Sequence, residues 1–229
     1  ILAVFIDGKQ LAAEQMVIAL GVTAQGKKIF LGVVQVASEN SESLGLFFEE
    51  LIERGLNFKN GLLFIIDGAK GIHKAIVNVF GKQGVIQRCQ WHKRENIVSY
   101  LNPMQQRYYR KKLQTAYSSP DYHTAKGKLN TIKKELQNIN RKAAASLEEG
   151  LEETLTIQRM DLYDELGRSF TTTNCIESVN SQLEKYIRKV KRWSSGQRYR
   201  WVVAGLIEIE PRLRKVRGYK HLHLLKEKL

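Results

Sequence analysis

Leu62-Leu-Phe-Ile-Ile-Asp-Gly68 is the stretch on which the reading of this chain turns. Five apolar residues closed by Asp-Gly describe a fully apolar strand that delivers Asp67 to its carboxyl end. Ile1–Ile6 repeats the pattern, a short apolar run closed by Asp7-Gly8. Between them, Gln15–Thr23 and Lys28–Ala37 are rich in Val, Ile and Leu and are separated by the turn Ala24-Gln-Gly-Lys27. With the first run they predict a three-stranded antiparallel meander. Ser41–Leu56 sets Leu44, Phe47, Phe48, Leu51 and Ile52 at helical spacing, with Ser41 or Ser43 as cap and Gly55 at its end. Ile72–Phe80 reads as a second helix, and Val85–Arg88 as a strand leading into Cys89-Gln-Trp-His92. The order is βββαβαβ. Open α/β sheets bind ligands at the carboxyl ends of their strands. A single Asp-Gly is a turn former; two in matched strand-end contexts mark Asp7 and Asp67 as a candidate site.

From Lys93 to about Gly167 the strand signals stop. Gln105–Tyr117, Asp121–Asn140 and Ala143–Thr156 read as helices rich in Lys, Gln, Leu and Glu, forming either a separate helical domain or an insertion into the α/β core. A further helix follows, with Ile176, Val179, Leu183, Tyr186/Ile187 and Val190 as its buried stripe. Glu177, Asn180, Ser181, Glu184, Arg188 and Lys191 share another face, acidic and amide-rich at its start and basic toward its end. Taken alone, Asn174-x-x-Glu177 is a helix-start signature, with Asn174 as N-cap and Glu177 closing a capping box. Beside Asp7 and Asp67, an early carboxylate followed by cations also suits a metal site abutting a phosphate backbone. A last helix, Gln197–Glu210, is stopped by Pro211, and a strongly basic tail follows.

The chain of 229 residues is 43% hydrophobic and carries a net charge of +14. That excess is uneven: residues 1–92 carry +1, 93–142 carry +9, 143–184 carry −7 and 185–229 carry +11. Two basic segments around an acidic one imply a polyanionic partner. Two cysteines, Cys89 and Cys175, make no disulfide framework and fit a reducing compartment. There is no signal peptide and no apolar run long enough to cross a bilayer. Starting at Ile1 inside an apolar run, without Met, the chain reads as a piece of a longer protein.

Phe5-Ile-Asp-Gly8, Gly32-Val-Val34, Glu53-Arg-Gly55, Phe64-Ile-Ile-Asp-Gly68, Gln87-Arg-Cys-Gln-Trp-His92, Thr172-Thr-Asn-Cys-Ile-Glu-Ser-Val-Asn180 and Pro211-Arg-Leu-Arg-Lys-Val-Arg-Gly-Tyr219 together resemble the mutator-type DDE transposases of bacterial insertion sequences. The blocks run almost the whole chain in the family's order. The resemblance implies an α/β fold with a ribonuclease-H-like mixed sheet, its core formed by 1–92 and 169–210. Residues 93–168 would be a helical insertion, and 211–229 a basic tail. It also implies that Asp7, Asp67 and Glu177 are the catalytic triad and hold Mg²⁺ or Mn²⁺. The expected partner is DNA, as transposon ends and target, handled by a homo-oligomer in the bacterial cytoplasm at the nucleoid and away from membranes. The family's N-terminal DNA-binding region would precede Ile1. Two other functions stay open: a nuclease that cuts without joining, and an inactive or domesticated DNA-binding remnant.

Around that triad, Asn180, Arg188, Lys191, Arg192, Arg198 and Arg200 are the expected DNA contacts. Arg107, Arg110, Lys111, Lys112, Lys126, Lys128, Lys133 and Lys134 either track phosphates or form a solvated helix face. Trp193 and Trp201 either stack on an unpaired base or pack in the core. Cys89-x-x-His92 invites zinc, which wants four ligands, or three and water. Cys175 has nothing beside it to complete a set, so Cys89 and His92 are expected to be structural. His92 would then be hydrogen-bonded near the site and Cys89 packed as a small apolar group.

Overall fold

The structure, a computed structural model, describes residues 1–11, 14–36, 40–188 and 196–229. Five strands form one mixed sheet: β1 (Ala3–Leu11), β2 (Glu14–Val22), β3 (Lys28–Val36), β4 (Leu62–Ile66) and β5 (Gly84–Arg88). Their order is β3-β2-β1-β4-β5. The first three form the expected antiparallel meander, while β4 and β5 add in parallel beyond β1. Every residue of β4 is buried, as a central strand covered on both faces must be.

Alternate residues of each strand feed two cores. On one face Val4, Ile6, Val17, Phe64 and Ile66 meet α1 (Ser41–Glu53) and α2 (Lys70–Phe80), where Phe48, Phe64 and Phe80 pack ring on ring. On the other, Phe5, Ile18, Leu63 and Ile65 meet the C-terminal helices α9 (Tyr163–Phe170), α10 (Asn174–Ile187), α11 (Gln197–Ile209) and α12 (Leu222–Lys228). Phe5 stacks on Phe170 with centroids 5.7 Å apart.

Between β5 and α9 every element is helical: α3 (Gln90–Val98), α4 (Pro103–Tyr117), α5 (Tyr122–Ile139), α6 (Arg141–Glu148), α7 (Leu151–Thr154) and α8 (Thr156–Arg159). α3 to α6 enclose a third core around Leu113, Leu129, Ile132 and Leu147. Buried amides and hydroxyls join this segment to β5. Gln87 donates to the Thr154 carbonyl at 2.9 Å, and Thr156 Oγ1 donates to the Ile86 carbonyl at 2.6 Å; within the segment, Gln90 donates to the same Thr154 carbonyl at 2.8 Å. No described helix is long and apolar enough to cross a membrane.

Four expectations change. β1 does not stop at Asp7 but runs on to Leu11 along β2, with Asp7 opposite Ile18. The helix expected over Ala143–Thr156 is three pieces: Gly150, with a left-handed φ of +65°, makes the first break, and Leu155 separates the last two. α3 and α9 were not expected, and each straddles a boundary drawn from sequence, at 92/93 and 168/169. The basic tail is no loose tail: its Leu222 and Leu225 are buried in the sheet core.

Candidate active site

Asp7 and Asp67 reach the same end of the sheet on neighbouring strands. The parallel ladder of β1 and β4 ends with Ile6 opposite Ile66, so the two aspartates are the next residues. There the strands part. β1 continues, whereas the chain after β4 turns at Gly68 with φ +106°, and Asp67 Oδ1 accepts from the Ala69 amide at 2.9 Å. A side chain at Gly68 would strike the Arg88 guanidinium, and so would one at Gly150. The buried Arg88 therefore sits between two glycines. It donates to the Gly68 carbonyl at 3.3 Å and reaches the Glu149 carboxylate at 3.5 Å. The Asp67 turn is braced from the helical segment.

Glu177 arrives from a third piece of chain. The Cys89 amide donates to the Ile66 carbonyl at 2.8 Å and the Gln90 amide to the Thr171 carbonyl at 2.9 Å, which ties β4, the start of α3 and the turn before α10 together. The capping box does not form. Thr173 precedes the helix, Asn174 is its first residue, and no side chain caps it. Glu177 Oε1 instead accepts from Thr173 Oγ1 at 2.5 Å. One turn later, Asn180 Nδ2 donates to Asp7 Oδ2 at 2.6 Å. Asn180 was expected on DNA; it is buried, and its Oδ1 has no partner among the described residues. Lys9 donates to the Asn180 carbonyl at 3.2 Å and pairs with Glu184 at 2.6 Å, holding α10 against β1.

The carboxylates sense one another. Burial, then the charges of Asp67 and Glu177, lift the Asp7 carboxyl to a pKa of about 6, with His92 and the Asn180 bond pulling the other way. Hard oxygen donors in mutual repulsion are what Mg²⁺ or Mn²⁺ relieves, so these residues fit such an ion. The two aspartates stand apart from the tightest grouping. Among the described residues, only Cys89, His92 and Glu177 bring three ligand atoms within 4.8 Å of one another.

Cys89 does more than pack. Its sulfur accepts from the His92 amide at 3.5 Å, the Thr173 amide at 3.4 Å and the Thr173 hydroxyl at 3.3 Å. Burial alone pushes the thiol up, and the donors from His92 and Thr173 outweigh it, holding it below its ordinary range. His92 is raised to about 9, first by its bond to Cys89 and then by the Cys89, Glu177 and Asp67 charges against burial. His92 Nδ1 lies 3.2 Å from Thr173 Oγ1 and 3.9 Å from Glu177 Oε1.

Arg188 at the end of α10 and Arg200 on α11 are exposed, Arg198 is half-buried, and Lys191, Arg192 and Trp193 lie outside the described residues. Trp201 is exposed. Several cations of the helical segment are engaged within it: Arg110 by Glu95, Lys112 by Glu135, Lys126 by Glu152 and Lys133 by Glu148. Thr173 and Arg88 were missed from sequence. A threonine just before a helix is a hint of a cap and nothing more; an arginine ending an apolar strand gives no sign of the glycines that will enclose it.

The family described as "Transposase, Mutator family" matches residues 3–206. The transposase for insertion sequence element IST2 of Acidithiobacillus ferrooxidans is 33% identical over 164 residues, 72% of this chain and 54% of that protein. The transposase for IS256 in transposon Tn4001 of Staphylococcus aureus is 30% identical over 189 residues, 79% and 46% of the two chains. The transposase for IS905 of Lactococcus lactis is 27% identical over 194 residues, 81% and 48%. The chain spans about half the length of the curated relatives it matches. With its match covering nearly the whole chain, this protein belongs to the Mutator family of transposases.

Proposed function

We propose that this chain is the catalytic region of a DDE transposase, cutting transposon ends and joining the freed 3′-hydroxyls to target DNA. One observation carries the reading: Asp7, Asp67 and Glu177 come from three separate segments to one end of the sheet, close enough that two of them lift the third. The strand order and the helices between β5 and α10 support a ribonuclease-H-like core, 1–92 and 169–210, interrupted by a helical insertion over 93–168, with 211–229 packed behind.

In this reading Asp7, Asp67 and Glu177 hold the divalent ions, Mg²⁺ or Mn²⁺. Such ions supply Lewis acidity for an in-line phosphoryl displacement. The chain's own part is positioning. Asn180 fixes the Asp7 carboxylate, Thr173 fixes Glu177, and the Arg88-braced turn fixes Asp67. Arg188, Lys191, Arg192, Arg198 and Arg200, which follow Glu177 in the sequence, are proposed to carry DNA. The partners are transposon ends and target, the active form is a homo-oligomer, and the place is the bacterial nucleoid.

The test is strand cleavage and joining with pre-cut ends in Mg²⁺, comparing the wild type with Glu177→Gln. Glutamine keeps the Thr173 bond and loses the charge. Joining falls by roughly 10²–10³-fold or more, on the scale of removing one charge-stabilising group, while melting temperature and DNA affinity hold. Cleavage without joining by the wild type would favour the nuclease, and neither reaction would favour the inactive remnant. Substantial cleavage by folded Glu177→Gln would refute the triad.

A further inference from the structure

Cys89 Sγ, His92 Nδ1 and Glu177 Oε1 surround one hydroxyl. Thr173 Oγ1 lies 3.3, 3.2 and 2.5 Å from them, and the three ligand atoms lie within 4.8 Å of one another. A hydroxyl has one proton and can donate to one of these electron-rich atoms at a time. The set is mixed in a telling way. A thiolate and an imidazole select borderline, thiophilic divalent ions, whereas the oxygen-only aspartates select hard ones. Sulfur, nitrogen and one carboxylate oxygen, with a fourth place for water or the Thr173 hydroxyl, make the donor set of tetrahedral zinc. Access is one-sided: Cys89 is wholly buried at the floor, while the His92 and Glu177 side chains are 30% and 37% exposed at the mouth. The short α3 cap and the α10 start fix all three, since Cys89 and His92 share one turn and Thr173 and Glu177 the other.

We infer that Cys89, His92 and Glu177 form a second cation site, specific for Zn²⁺-like ions and distinct from the hard-ion set of Asp7, Asp67 and Glu177. Because Glu177 belongs to both, occupancy by a thiophilic ion withdraws it from the aspartates. That consequence rests on the proposed catalytic role of Glu177; the binding itself does not.

Co²⁺, which takes zinc's ligands and reports them by colour, is the probe. Titrated into the full chain, it gives a sulfur-to-cobalt charge-transfer band in the near ultraviolet that saturates at one equivalent and is bleached by Zn²⁺. The band is lost in Cys89→Ser and in His92→Ala, and it persists in Asp7→Asn and Asp67→Asn. Serine can still cap α3, and far-ultraviolet circular dichroism checks the fold of each variant. As a second measurement, Zn²⁺ raises the melting temperature of the wild type by more than that of Cys89→Ser. No band in the wild type, a band undiminished in Cys89→Ser, or one lost with either aspartate would overturn the site. Failure of the triad would appear separately, as joining activity in Glu177→Gln.

Discussion

The sheet end and the helical segment handle charge in opposite ways. In α3 to α7 the formal excess of cations is largely answered in place: Glu95 takes Arg110 in a two-pronged bond, Glu135 takes Lys112, Glu148 takes Lys133 and Glu152 takes Lys126. At the sheet end Asp7 senses the charges of Asp67 and Glu177, with His92 opposing them, and Lys9 is turned to Glu184. The segment sum of +9 thus overstates the free positive surface, while the near-neutral sum over 1–92 hides the carboxylates gathered at the sheet end. Uncompensated charge held by burial marks function better than net charge does.

The largest effect expected from breaking this contrast is at Arg88, the buried cation that joins the two regions. Arg88→Ala removes the brace from the Asp67 turn and leaves Lys93, among the described residues, as the only buried partner of Glu149. It should cost about 3 kcal/mol in denaturant unfolding, from the cavity left by a large buried side chain and the Gly68 carbonyl left without its donor. Arg88→Met should cost less, since it fills the space. A loss below 1 kcal/mol for the alanine variant would mean that the two regions are joined by packing alone.

Sequence foretold the strands and the end of β4 at Asp67 because both depend on local pattern, apolar runs, turn residues and alternation, but it stopped β1 too early, at Asp7. It picked out Glu177 through a motif but gave its neighbours the wrong geometry. Asn174 has a better capping side chain than its surroundings, yet the bond from Gln90 to Thr171 starts the helix one residue earlier than that cap requires. α3 was invisible for a different reason. Its buried residues include Gln90 and Lys93, satisfied by carbonyls of distant helices, so no apolar stripe betrays it. α12 buries only Leu222 and Leu225 among basic neighbours. Where burial is polar or tertiary, periodicity has nothing to report.

A smaller effect, of opposite sign, is expected at Asp7. Its folded pKa of about 6 lies above the ordinary 3.8, so the folded state holds the proton more tightly. Stability from this group is complete below the unfolded pKa and is lost as pH rises through about 6. Asp7→Asn should therefore stabilise the metal-free chain by about 2 kcal/mol at pH 7 and by nearly nothing at pH 3.5. Equal melting shifts at both pH values would show that the carboxylates do not repel.

The smallest effects belong to the answered cations. Lys112→Met should change stability by less than about 1 kcal/mol, as exposed pairs do. Among the described residues Arg107 and Lys111 have no carboxylate partner, and they line one groove with Tyr108. Replacing both should lower the salt slope of DNA binding by up to about 2, whereas replacing Lys112 and Lys133 should lower it less. Equal slopes would erase the distinction between answered and free cations.

Direct binding of Mn²⁺, followed by its electron paramagnetic resonance signal, tests the central claim that Asp7, Asp67 and Glu177 share divalent ions. The wild type should take up Mn²⁺ saturably, and Asp7→Asn, Asp67→Asn and Glu177→Gln should each lose that uptake while remaining folded. Undiminished binding in any folded single variant, or none in the wild type, would contradict it.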